Sequence, residues 1–137
     1  MKNIVFLYAG FVLSHAFDML FPKDFSSVPT DASAGREMSA FDFCLGWAAK
    51  IKDRERIVIA ANRQTEDKVR REVLKAGLED ACTVVVEQRW STALLLKRMS
   101  EAAGQYGASY VVYSMADRPF LDMALTEKVI SDHLEYL

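Results

Sequence analysis
The sequence holds only two cysteines, Cys44 and Cys82, in no metal-ligand spacing, which excludes a disulfide-rich scaffold. Its two histidines, His15 and His133, stand far apart and beside no serine or cysteine with a nucleophile signature. No apolar run reaches the length needed to cross a bilayer, so no membrane partner is expected. Charge of one sign is not in excess either. Seventeen Lys and Arg are interspersed with nineteen Asp and Glu, for a net charge of −2, which argues against a nucleic-acid-binding surface. What remains is a chain of 137 residues, 51% hydrophobic and 26% charged. That is the composition of one globular domain with a core of its own, residues 1–137.

Four nearly continuous apolar, β-branched runs punctuate the chain, at residues 4–9, 57–61, 83–86 and 110–114. Such runs suit strands covered on both faces. Helical patterns lie between and after them. One begins at Ser39, with Asp42 completing a capping box. A second opens near Thr65, with Glu66 and Asp67 in its first turn, and closes at Gly77. A third starts at Ser91 and ends near Gly104, and a fourth follows Asp122 as N-cap. The order β-α-β-α-β-α-β-α predicts a parallel, right-handed, doubly wound sheet. Its first crossover, residues 11–38, is long, and Phe17-Asp18-Met19-Leu20-Phe21 is expected to form a helical turn within it. The N-terminus has the outline of a short signal peptide: Lys2, an apolar run over residues 4–13, then Ser14-His15-Ala16. Residues 3–10 read better as a first buried strand ending in a glycine turn, and a cytoplasmic protein is expected. The chain ends inside its last helical pattern, at Tyr136-Leu137, without a cap or polar tail. The expectation is therefore the N-terminal portion of a longer protein, with a further C-terminal region as a partner in the same chain.

The fourth strand ends abruptly in Asp117, followed by Pro119 and a helix. Open parallel sheets bind ligands beyond the carboxyl ends of their strands, where strand order reverses. There a carboxylate can hold a divalent cation against phosphate oxygens. The plainer role for Asp117 is to cap the turn. The loop after Ala9-Gly10 is expected to face the same crevice, and the default ligand is a nucleotide or phosphorylated molecule.

Three segments, Ala9-Gly10-Phe11, Pro22-Lys23-Asp24-Phe25 and Ala116-Asp117-Arg118-Pro119-Phe120-Leu121-Asp122, resemble motifs of one family. It is the nucleotidyltransferases of the nucleotide-diphospho-sugar transferase (GT-A-like) superfamily. The resemblance implies a Rossmann-like α/β fold, a doubly wound, mainly parallel sheet in three α/β/α layers. It implies transfer of a nucleotidyl group from a nucleoside triphosphate to a phosphorylated sugar or related acceptor, with Mg²⁺ as cofactor. A nucleoside triphosphate or nucleotide-sugar would be the ligand. Position by position, Asp117 would bind the Mg²⁺ and contact the nucleotide, and Lys23 would lie against the triphosphate. Ala9 and Gly10 would start the backbone cradle, and Arg89 and Ser91 would stand near base and phosphates. Ser91 also has a structural task as helix N-cap.

The sequence departs from the family pattern at one loop. Phe11-Val12-Leu13-Ser14-His15 stand where the family has G-x-G-x-R, and Gly35-Arg36 comes too late in the chain to replace it. The second metal-binding aspartate of the family would lie beyond residue 137. An alternative reading is thus a degenerate, non-catalytic module for nucleotide binding or domain association. An open cradle after Gly10 favours the enzyme, and a hydrophobically filled one favours the module. Cys44, Cys82, Trp47 and Trp90 are read as packing residues, and Lys68, Arg70 and Arg71 as a solvated helix face. His133 is assigned a structural or solvent role, His15 keeps a binding role as an alternative, and Asp122 is a helix cap with a second metal ligand as its alternative.

Overall fold
The computed structural model describes residues 1–11, 15–18, 20–22, 37–118 and 121–136, with the side chains of residues 15, 21, 22 and 37 excepted. The four apolar runs form one parallel sheet. Strands β1 (Asn3–Ala9), β4 (Arg54–Ala61), β5 (Cys82–Val86) and β6 (Tyr110–Met115) are arranged in the order β5-β4-β1-β6. The first strand is therefore internal, with β4 on one side and β6 on the other. Strand order reverses between β1 and β6, as the βαβ alternation predicts. The strands also end in step: Ala9 lies beside Ala61, Ala61 beside Val86, and Tyr8 beside Met115. All four following loops thus open on one edge of the sheet.

Alternation along β1 divides the core in two. Val5, Leu7 and Ala9 face one side, where α2 (Ala40–Ala49) and α3 (Glu66–Lys75) supply Phe41, Cys44, Leu45, Val69 and Val73. Met123 and Ile130 of α5 (Met123–Glu135) pack on that same side. Ile4 and Phe6 face the other side, covered by Leu95, Met99 and Ala102 of α4 (Thr92–Gln105). The result is a three-layer α/β/α, Rossmann-like fold. Complete burial of a side chain such as Leu7 or Ile59 contributes about 1.5–3 kcal/mol.

The helix boundaries lie where the capping residues put them. Ser39 Oγ accepts from Asp42 N–H at 3.1 Å and Asp42 Oδ2 accepts from Ser39 N–H at 3.1 Å, a complete capping box. Ser91 Oγ accepts from Leu94 N–H, and Asp122 Oδ1 from Leu125 N–H. Gly77 follows α3 at φ +70°, and Leu78 N–H returns to Val73 O at 3.1 Å, closing the helix in a left-handed turn. The first crossover differs from expectation. A helical turn, α1, covers only His15–Asp18, and Leu20–Pro22 (β2) is extended and pairs antiparallel with Glu37–Ser39 (β3). Segments this short carry no hydrophobic period, and the pairing spans a long gap in sequence, so only tertiary contact reveals it.

Candidate functional site
The loop after β4, residues 62–65, is locked to the end of β1 by two buried side chains. Asn62 Oδ1 accepts from the backbone N–H of Gln64 (2.8 Å) and Thr65 (2.9 Å), while its Nδ2 donates to Phe11 O at 2.7 Å. Thr65 Oγ1 donates to Ala9 O at 2.8 Å and accepts from Asn62 N–H at 3.1 Å. Asn62 is 8% exposed and Thr65 1%. Every partner here is a backbone group, so the two side chains help satisfy main-chain polar atoms of the interior.

The loop after β5, residues 87–91, is held by three further contacts. Glu87 N–H and Trp90 Nε1–H both donate to Ala61 O, at 3.0 and 2.9 Å. Glu87 Oε1 accepts from Arg98 Nε at 2.9 Å and Nη2 at 2.7 Å, and hydrogen bonds to Glu87 and Glu101 raise the Arg98 guanidinium further above its ordinary value. Ser91 closes the loop as cap of α4.

Between these pinned loops lies a cleft of about 660 Å³ lined by Arg63, Gln64, Gln88 and Arg89, with Tyr8, Gly10 and Trp90 as its apolar lining. Among the described residues, two arginines and no acidic residue line it. A cleft of this volume suits a nucleotide-sized ligand, and its charge selects an anionic one. Arg63, Gln64 and Gln88 were not singled out in the sequence. Their signal was positional, since each directly follows a strand in the first residues of its loop.

Of the expected site residues, Gly10 and Arg89 meet in this cleft. Ala9 is fully buried, and its carbonyl is taken by Thr65. Ser91 has its hydroxyl in the helix cap. Gly10 is not an open cradle. A Cβ placed there would collide with Trp90 Cδ1, so the indole occupies the space a ligand would need. Phe11 packs edge-on against Tyr8, with ring centroids 5.3 Å apart. The described part of the loop is thus hydrophobically filled, and Trp90 both packs and lines the cleft. Lys23, residues 12–14, Pro119, Phe120 and the His15 side chain lie outside the described residues.

Asp117 follows β6 on the other side of β1. Ala116 N–H donates to Tyr8 O at 2.8 Å, which sets the acidic turn beside the end of the first strand. The Asp117 side chain is 12% exposed, with Arg118 Nε 3.9 Å from its Oδ1. Burial raises the Tyr113 phenol above its ordinary value, and the neighbouring Tyr8 and Asp117 add to the rise. Helix α2 supports the turn from beneath. Cys44 Sγ donates to Arg118 O at 3.2 Å, and Trp47 Nε1–H donates to Thr126 Oγ1 at 3.0 Å.

No group of three or more His, Cys, Asp or Glu that could hold a metal occurs among the described residues. Asp122, the alternative second ligand, is exposed and its Oδ1 caps α5. Mg²⁺ is commonly held by one or two carboxylates together with substrate phosphates. The single carboxylate of Asp117 fits an ion shared with a ligand's phosphates and does not fit a cage built from protein alone. His133 lies with its ring 5.8 Å from that of Tyr110. No helix among the described residues is long and apolar enough to cross a membrane.

No family model and no curated protein matches the chain. Among solved structures it is similar to a cytidylyltransferase from Leptospira borgpetersenii serovar Hardjo-bovis, with a TM-score of 0.59 and 18% identity. The likeness covers 96% of this chain and 48% of that one, so the chain spans about half the length of that protein. The likeness concerns the fold: the chain shares the Rossmann-like α/β architecture of that protein.

Proposed function
We propose that this domain binds a nucleoside triphosphate across the carboxyl ends of its strands and takes part in nucleotidyl transfer to a phosphorylated sugar or related acceptor. The observation that carries the reading is the cleft lined by Arg63 and Arg89, with no acidic residue among the described ones, between two pinned loops at the ligand side of the sheet. The two guanidinium groups hold phosphate oxygens by charge-assisted hydrogen bonds. Asp117, next to the end of β1, would hold Mg²⁺, which when bound would supply charge neutralisation for the phosphates. Lys23 is assigned to the triphosphate by the family resemblance. The acceptor's phosphate oxygen attacks the α-phosphorus, and pyrophosphate leaves.

A second reading has its own observation. Trp90 fills the space above Gly10, as expected of a binding or association module that retains the fold without the reaction. Calorimetric titration with the common nucleoside triphosphates and Mg²⁺, together with a pyrophosphate-release assay, separates the two. The transferase reading expects binding that Arg89→Ala weakens about tenfold, and pyrophosphate release that Asp117→Ala abolishes. Binding without release, over a broad panel of phosphorylated acceptors, favours the module. Absence of binding by any triphosphate refutes the transferase and a nucleotide-binding module, and leaves the association module alone.

A further inference from the structure
The Trp90 indole is held from three sides. Its Nε1–H is bonded to Ala61 O, its ring meets Tyr8 edge-on with centroids 6.2 Å apart, and its Cδ1 side rests on Gly10. The same residue lines the cleft with Arg63, Gln64, Gln88 and Arg89. Glycine at position 10 therefore accommodates the indole, and the backbone there is closed to a ligand.

We propose that Trp90 is the specificity-determining residue of the cleft, a fixed aromatic platform on which the planar ring of a nucleotide stacks. This rests on reading the cleft as a nucleotide site. A ring already held by a hydrogen bond and two packing contacts loses little freedom when a ligand stacks on it. Stacking is tolerant of base identity because every base presents a π-face. The amides of Gln64 and Gln88 carry both donors and acceptors and can serve the edge of any base. The phosphates go to Arg63 and Arg89. The cleft thus selects a heteroaromatic ring joined to phosphate and ranks bases by stacking area, so purine nucleotides bind at least as well as pyrimidine nucleotides.

The test is calorimetric titration of the full chain with ATP, CTP and base-free tripolyphosphate, each with Mg²⁺. Wild type, Trp90→Leu and Trp90→Phe are compared. Wild type is expected to bind both nucleotides roughly tenfold more tightly than tripolyphosphate, with ATP no weaker than CTP. Trp90→Leu is expected to lose that roughly tenfold advantage while tripolyphosphate affinity stays within about twofold, and Trp90→Phe to keep most of it. Should Trp90→Leu not fold, tryptophan emission decides with wild type. Trp47 is only 7% exposed, so quenching by ATP and not by tripolyphosphate reports on Trp90. Equal weakening of all three ligands by Trp90→Leu would mark a framework residue and overturn the proposal. So would nucleotides that bind wild type no better than tripolyphosphate, or CTP far ahead of ATP. If wild type binds none of the three, the nucleotide reading of the cleft itself fails.

Discussion

Asn62→Ala removes the latch between the β1 and β4 loops without touching the cleft's charged groups. Phe11 O loses its 2.7 Å donor and Gln64 N–H its 2.8 Å acceptor, while Thr65 N–H keeps the Asn62 backbone carbonyl at 3.2 Å. A buried polar group left unsatisfied costs about 1–3 kcal/mol. Some of these groups regain water once the side chain is cut back, so the expected loss is about 3 kcal/mol. That is a large share of the total stability of a domain this size, roughly 5–15 kcal/mol. For 137 residues it corresponds to a fall in Tm of roughly 10 °C. Thr65→Val, close in shape, removes the 2.8 Å bond to Ala9 O and is expected to cost about 1–2 kcal/mol. The two side chains also touch each other, Thr65 Oγ1 lying 3.2 Å from Asn62 Oδ1, so the double variant should lose less than the sum of the singles. Urea unfolding followed by circular dichroism measures all three. A loss below about 0.5 kcal/mol for Asn62→Ala would refute the reasoning, because the loops would then be held by something other than these bonds.

Gly10→Ala forces a methyl group against Trp90 and should cost about 1–3 kcal/mol in urea unfolding. The cost should shrink in a Trp90→Ala background, and an unchanged cost there would show that the indole is not the obstacle. Burial raises the Glu72 carboxyl above its ordinary 4.5, Asp42 adds to the rise and Lys75 opposes it. Since the folded state binds this proton more tightly, the ionised form works against folding, and its cost is relieved as pH falls through the raised value toward 4.5. Glu72→Gln should therefore stabilise the protein at neutral pH, by less than about 1 kcal/mol, with the gain fading in acid. A gain that does not change with pH would contradict this. Burial pushes the Cys44 thiol up to about 12 and Cys82 to about 11. Neither should react with a disulfide reagent at about pH 8 until the protein is unfolded in urea. Rapid labelling of the native protein would disprove it.

The sheet was legible because its central strands are buried on both faces and read as nearly unbroken apolar runs, and the half-buried edge strands still carry Val-rich runs. The helix starts were legible because Ser39, Ser91 and Asp122 are caps whose chemistry is local. The small pair β2–β3 was not, because three-residue segments show no alternation and their partner lies far along the chain. The site was legible in outline only. Strand order placed the loops on one edge, and Gly10 and Arg89 do meet there. Asn62 and Thr65 were missed because their partners, Phe11 O and Ala9 O, are backbone atoms 51 and 56 residues away. Gly10 looked like a ligand cradle because a glycine after a strand signals close approach. What approaches it is an aromatic ring from a distant loop, and nothing in the order of residues distinguishes the two.

Helix α2 has a consequence for spacing across the crevice. The Arg63 loop is tied to the end of β1 and the Arg89 loop to Ala61 of β4, whereas the Asp117 turn, besides its bond to Tyr8 O, is also tied to Cys44 and, through Thr126, to Trp47, one helical turn apart. That helix works as a strut: its seat against the sheet sets how far the lone carboxylate stands from the paired guanidinium groups. Small substitutions beneath α2, remote from any bound molecule, would then retune the distance between the two halves while leaving each half intact.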